Sequence, residues 1–193
     1  MKHALIATAG TALLLSACAH QLSEQELAKR AQDSRDAIGA LQGSLVKELQ
    51  AAMQAGGPTN AIAVCNTKAP AISADVSKAK GMSIERTSLK LRNPKHAPDA
   101  WEKKVLESFE ARKAKGEDPA KLEHYEVASV DGKNTFRYMK AIAIPKDAPC
   151  LTCHGGNLDP AVAAKIKELY PKDQATGYNA GDLRGAFTVK QPL

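Results

Sequence analysis

Cys150-Leu151-Thr152-Cys153-His154 is the part of this 193-residue sequence whose residue types and spacing most directly imply chemistry. Two thiols separated by two residues, with an imidazole next in line, match the spacing at which cysteines add across the two vinyl groups of a haem while the histidine meets the iron. The rival chemistries for such a pair are a dithiol redox couple and half of a zinc site. Zinc needs two more ligands at useful spacing, and none is evident. The motif therefore predicts one covalent haem c, attached through Cys150 and Cys153, with His154 as its proximal iron ligand.

The other two cysteines need separate accounts. Cys18 follows Leu15-Ser16-Ala17, after a short positive start at Met1-Lys2-His3 and an apolar run from Ala4 to Leu15 that is too short to span a membrane. This is the pattern of a signal peptide ending in a lipobox. It predicts removal of residues 1–17, lipidation at Cys18, a tether over 18–22 and one domain over 23–193. Ala19 after the cysteine points to the outer rather than the inner membrane, facing the periplasm. Export agrees with the haem motif, because c-type haem is attached outside the cytoplasm. Cys65 is left over. It is either a small buried hydrophobe or engaged by something, and iron is available to engage it. Met53, Met82 and Met139 compete for that role, since Met/His is the common axial pair in cytochromes c. His20, His96 and His124 are expected at the surface.

The formal charge of +6 is spread along the chain without a long basic block. It fits solubility and compensation of haem propionates better than a nucleic-acid footprint, so no nucleic-acid partner is expected.

The elements that must position these residues follow from periodicity. Ser23-Glu24-Gln25-Glu26 has the capping-box form, and Leu27, Ala31, Ile38, Leu41, Leu45, Leu49 and Met53 make one apolar stripe until Gly56-Gly57 stops the helix. The stripe is a packing face, or a seam for a homodimer. A second helix from Thr59 to about Ser77 places Ile62, Cys65, Ala69 and Ile72 on one face, with a kink expected at Pro70. Ile84 to Leu91 reads as a strand, followed by a turn at Arg92-Asn93-Pro94. Pro98-Asp99 opens a helix that buries Trp101, Val105, Leu106 and Phe109. His124 to Val130 and Thr135 to Ile144 form a hairpin around Asp131-Gly132-Lys133. A short helix starts at Asp159, and Leu183 to Lys190 is the last strand. The expected fold class is α+β: long N-terminal helices, then an antiparallel sheet with the haem loop after its central hairpin.

Beyond these patterns, the blocks Cys65-Asn66, Arg86-Thr87-Ser88, Arg92-Asn93-Pro94, Pro98-Asp99-Ala100-Trp101-Glu102, Cys150 to Gly155, Tyr170-Pro171, Gly177-Tyr178 and Gly181 to Ala186 occur in one order. Together they resemble the c-type haem family of PAS-like fold that was long catalogued as a domain of unknown function, whose structural prototype is a cyanobacterial cytochrome. The resemblance spans nearly all of the mature chain. It implies a Cys/His axial pair, which falls here on Cys65 and His154. A thiolate donor favours ferric iron, so the implied centre has a low potential and a sulfur ligand that gains basicity on reduction. Arg86, Arg92 and Arg184 lie in the shared blocks and are candidates for the propionates, with ordinary salt bridges as their alternative role.

The function this implies is low-potential electron transfer or redox sensing by a lipid-anchored monohaem protein, with an unidentified redox or signalling partner in the cell envelope. The alternatives are a sensor of nitric oxide or carbon monoxide and, with less support, a haem enzyme such as a peroxidase. Against an enzyme stand a filled sixth position and a single haem motif. Cys18→Ala is expected to move the protein from the membrane to the soluble fraction of a cell extract, and continued membrane association would contradict the lipobox.

Overall fold

Ser23 starts the first helix by the predicted capping box: its Oγ accepts from the Glu26 N–H at 3.3 Å, and the Glu26 carboxylate accepts from the Ser23 N–H at 2.8 Å. The structure is a computed structural model that describes residues 22–147 and 149–193. The expected signal peptide, Cys18 and His20 lie outside the described residues. Helix α1 (Glu24–Lys80) leaves helical dihedrals at Gly56 and Gly57, so it has two arms, 24–55 and 58–80. Gly57 has φ 69° and ψ −166°, a region essentially closed to residues with a Cβ. The chain folds back there. Asn60 Nδ2 donates to the Ala52 carbonyl at 2.9 Å, and Lys68 pairs with Glu48 across the two arms.

Pro70 sits inside the second arm without leaving helical dihedrals, so the break expected there occurs only at the glycines. The arm runs past Ser77 to Gly81, which takes the left-handed cap conformation at φ 66°.

Four antiparallel strands follow: β1 (Ser83–Thr87), β2 (Glu123–Val130), β3 (Lys133–Ala143) and β4 (Leu183–Pro192), in the order β1-β4-β3-β2. The fold is α+β with a PAS-like antiparallel sheet, as predicted. The hairpin turn is the predicted one: Asp131 (φ 50°) and Gly132 (φ 76°) are both left-handed, closing the Val130–Lys133 pair. Strand β1 is shorter than the Ile84–Leu91 expectation. Its pairing stops at Thr87, where the Ser88 hydroxyl bonds the Arg184 carbonyl at 2.8 Å and accepts from the Lys90 N–H at 3.2 Å, turning the chain away.

Helix α2 (Ala100–Ala114) is capped by Asp99 and covers one face of the sheet, where Val105, Leu106 and Phe109 pack on Met139, Ala141, Leu183 and Ala186. Arm 24–55 covers the other face, where Ala31, Ala37, Ile38 and Leu41 pack on Ile84, Phe136, Tyr138, Phe187 and Val189. Leu183 and Ala186 share a face although period-two alternation puts them on opposite ones. A bulge explains this: Ile142 pairs with Gly185 and Ala143 with Leu183, leaving Arg184 as the extra residue. Helices α3 (Leu151–His154) and α4 (Pro160–Leu169) complete the fold between β3 and β4. No described helix is long and apolar enough to cross a membrane.

Gly57→Ala forces a Cβ into a glycine-only conformation, and should cost about 1–3 kcal/mol. Thermal unfolding of that variant, compared with Gly39→Ala in the same helix where a Cβ meets open space, measures it.

Candidate functional site

A cavity of about 490 Å³ lies between the two arms of α1, strand β1, the turn after it and helix α3. Its volume is within the roughly 300–1,000 Å³ of sites that enclose a small molecule or cofactor. Cys150, Cys153 and His154 line it from α3, and Cys65 and Asn66 from the second arm. Leu45, Leu49 and Met53 line it from the first arm, so the lower half of the predicted apolar stripe is cavity wall. Of the methionines weighed against Cys65, Met53 is in the wall, Met82 packs against the core under α1, and Met139 is buried on the α2 face.

Helix α3 is a single turn, with the His154 N–H bonded to the Cys150 carbonyl at 2.9 Å. The turn ends at Gly155, where a Cβ would stand 2.6 Å from the Leu151 carbonyl oxygen, so only glycine lets the chain leave this closely. His154 is oriented from behind: its Nδ1 lies 2.7 Å from the Ala175 carbonyl. A carbonyl can only accept, so Nδ1 carries the proton and Nε2 is the nitrogen available to a metal. Arg184 Nε also lies 3.3 Å from Nδ1, but an N–H already donating to a carbonyl has no lone pair for it, so that approach is a contact and not a hydrogen bond. Burial, with Arg92 and Arg184 adding to it, pushes the imidazole pKa down to about 3. The ring is neutral, as a ligand must be.

The three arginines have different surroundings. Arg92 is held by Asp173, with Nε to Oδ1 at 3.0 Å, and its Nη2 reaches the Cys153 carbonyl at 2.6 Å and the Ala175 carbonyl at 3.2 Å. It clamps the Cys150–His154 turn to the carbonyl that orients His154. Arg184, the bulge residue, donates to Ser88 Oγ at 3.0 Å and the Lys90 carbonyl at 3.2 Å, with Tyr178 beneath it. Arg86 is two residues beyond Ile84 on β1 and so faces the same side, beneath α1. Its buried Nε has no hydrogen-bond partner, and it forms no salt bridge among the described residues. A buried guanidinium nitrogen without a partner is costly, and an anion in the cavity would offset the unpaired charge. Burial pushes the thiol pKa values of Cys65, Cys150 and Cys153 up, with Arg86 opposing the rise at Cys65 and Arg92 at Cys153.

Sequence reasoning missed three contributors. His96 was expected at the surface but lines the cavity, because the turn Pro94–His96 folds back under β1. Asp173 and the Ala175 carbonyl had no motif to mark them. Gly177-Tyr178, one of the shared blocks, pairs with Gly155 and His154 through backbone bonds of 3.0 Å each. His124 is exposed, as predicted.

Dithiol, neutral imidazole, apolar walls and an unpaired guanidinium fit the haem that the motif predicts. Sheet, helical hairpin and this pocket together define an α+β domain with a half-buried dithiol–imidazole site. The chain belongs to the Tll0287-like family, whose model matches residues 19–192. Among solved structures it is similar to the crystal structure of the cyanobacterial heme-protein Tll0287, at 27% identity and a TM-score of 0.60, over 89% of this chain and 97% of that one. No curated protein matches the chain.

The Arg92–Asp173 pair is largely buried, at 12% and 8% side-chain exposure. Asp173→Ala leaves a buried cation unpaired and should cost roughly 3–5 kcal/mol in urea unfolding, more than Arg92→Leu combined with Asp173→Leu. A loss equal to that of a surface pair would show that the clamp is not holding the loop.

Proposed function

We propose that the protein is a periplasm-facing monohaem c-type cytochrome that transfers electrons at low potential or senses redox state, with Cys65 and His154 as axial ligands. The observation that carries this is the convergence of Cys150, Cys153, His154 and Cys65 on one cavity from two distant parts of the chain. The heme-protein Tll0287 and the shared family support a haem in this chain as well. When bound, haem supplies reversible one-electron exchange at its iron.

The protein's own groups have separable tasks. Cys150 and Cys153 are the attachment thiols, and α3 holds them one helical turn apart. His154 presents Nε2, because Ala175 holds Nδ1. Cys65 offers sulfur from the second arm of α1, and as an anionic donor it would lower the potential. Arg86 is the arginine left free to receive a propionate; Arg92 and Arg184 act mainly on the loop and on each other's surroundings. Leu45, Leu49, Met53 and Ile62 exclude water from the pocket. Lipidation at Cys18 would tether this domain to the outer membrane, with its donor and acceptor in the envelope.

Haem that stays with the chain on a denaturing gel, and is lost in Cys150→Ala/Cys153→Ala, is the expected sign of covalent attachment. Cys65→Ala should remove a thiolate-type ferric spectrum and raise the midpoint potential, while Met53→Leu should change neither. An unchanged spectrum in Cys65→Ala would sink the ligand assignment. Rapid carbon monoxide binding by the ferrous protein would move the function from electron transfer to gas sensing.

A further inference from the structure

His96 is a titratable group of the cavity wall to which the haem-protein reading assigns no task. Its backbone is pinned: its N–H bonds the Asn93 carbonyl at 3.0 Å, and its carbonyl accepts from the Ser88 N–H and Thr87 Oγ1, both at 3.3 Å. These bonds hold the residue at the cavity wall. Arg86 of β1 and Arg184 of β4 are the charges that face it, and with burial they hold it neutral, its pKa down to about 4. From its own segment Arg92 and Lys95 line the same wall. Glu85 is the one carboxylate among the described residues lining the cavity, and Cys65 and Tyr170 are the other titratable groups there, besides the three residues of the haem motif.

Such a wall is electropositive, and its arginines stay charged at every accessible pH. His96 is different. It is an ionisable side chain close to the site whose charge can follow that of the cavity.

We propose that His96 is the redox-linked proton site of this protein. When one electron reaches the haem iron from an external one-electron donor, one proton passes from solvent to the open ring nitrogen of His96, giving imidazolium; oxidation returns both. This rests on the haem-binding function proposed above. The sign follows from charge: propionates and then an added electron make the cavity more negative, which favours the protonated ring. The affinity of His96 for a proton is therefore higher in the reduced protein, and the midpoint potential falls as pH rises between its oxidised-state and reduced-state values. Outside that window His96 contributes no slope. Cys65 is the competing acceptor, but its protonation would alter the sulfur ligand and with it the absorption bands.

The test is spectroelectrochemical titration of the holoprotein from about pH 4 to pH 9, with proton uptake on electrode reduction in weakly buffered solution. The wild type should approach one proton per electron within the window, with ligand bands constant across it. His96→Gln and His96→Asn should flatten the slope, and exposed His124→Gln should keep it. A pH-independent wild-type potential overturns the proposal while leaving the haem function standing, as does a slope that survives in both His96 variants. Bands that change with pH across the window assign the proton to Cys65 and also overturn it, even if neither variant folds. A protein without a haem spectrum overturns this proposal and the function together.

Discussion

Three arginines gathered beside an apolar cavity create the constraint on which this site depends. Like charges brought together away from water are costly unless each finds a counter-charge or acceptors. Arg92 finds Asp173, and Arg184 finds a hydroxyl, a carbonyl and the face of Tyr178. Arg86 finds nothing for its Nε. Compensation and geometry are one network here, because the guanidinium that Asp173 neutralises also binds the carbonyls of Cys153 and Ala175. The second of these sets the tautomer of His154. Electrostatic stability and the orientation of the His154 ring therefore cannot be varied independently.

The sheet contributes through an irregularity. Without the bulge, regular alternation would send Arg184 toward α2, into the cluster of Val105, Leu106 and Phe109. The extra residue turns it to the cavity side while Leu183 stays in the apolar layer. Gly185 makes the arrangement possible. It has φ +151°, and a Cβ there would lie 2.3 Å from the Thr87 carbonyl oxygen, so β1 and β4 approach closely at the point where β1 ends. The same junction supplies Ser88, which binds Arg184 and turns the chain toward Arg92 and His96. A bulge beside a site that re-aims one side chain is a recurrent use of this defect.

Helix α1 does two jobs along one stripe. Ala31 to Leu41 cover the sheet, Leu45 touches both the sheet core and the cavity, and Leu49 and Met53 line the cavity. The reversal at Gly56-Gly57 brings Cys65 back over the same cavity. Ile62 on that arm packs with Val162 and Ile166 of α4, which ties the Cys65 side of the pocket to the segment following His154.

Local physics made much of this legible in advance. The Ser23 capping box, the helix start at Asp99, the Asp131-Gly132 hairpin turn and the glycine stop of the first arm depend on neighbours within a few residues, so spacing and residue type suffice. The β1 boundary, the bulge, the tasks of the three arginines and the place of His96 do not. Each depends on a partner remote in sequence: Ser88 on Arg184, Arg92 on Asp173, Arg86 on the arm that carries Cys65. From sequence, Arg86, Arg92 and Arg184 were equivalent, and His96 was one more polar residue in a turn. Only packing distinguishes a guanidinium with a buried carboxylate beside it from one without. Charge compensation is decided by which distant groups the fold brings within hydrogen-bonding reach, and no periodicity in the chain records that.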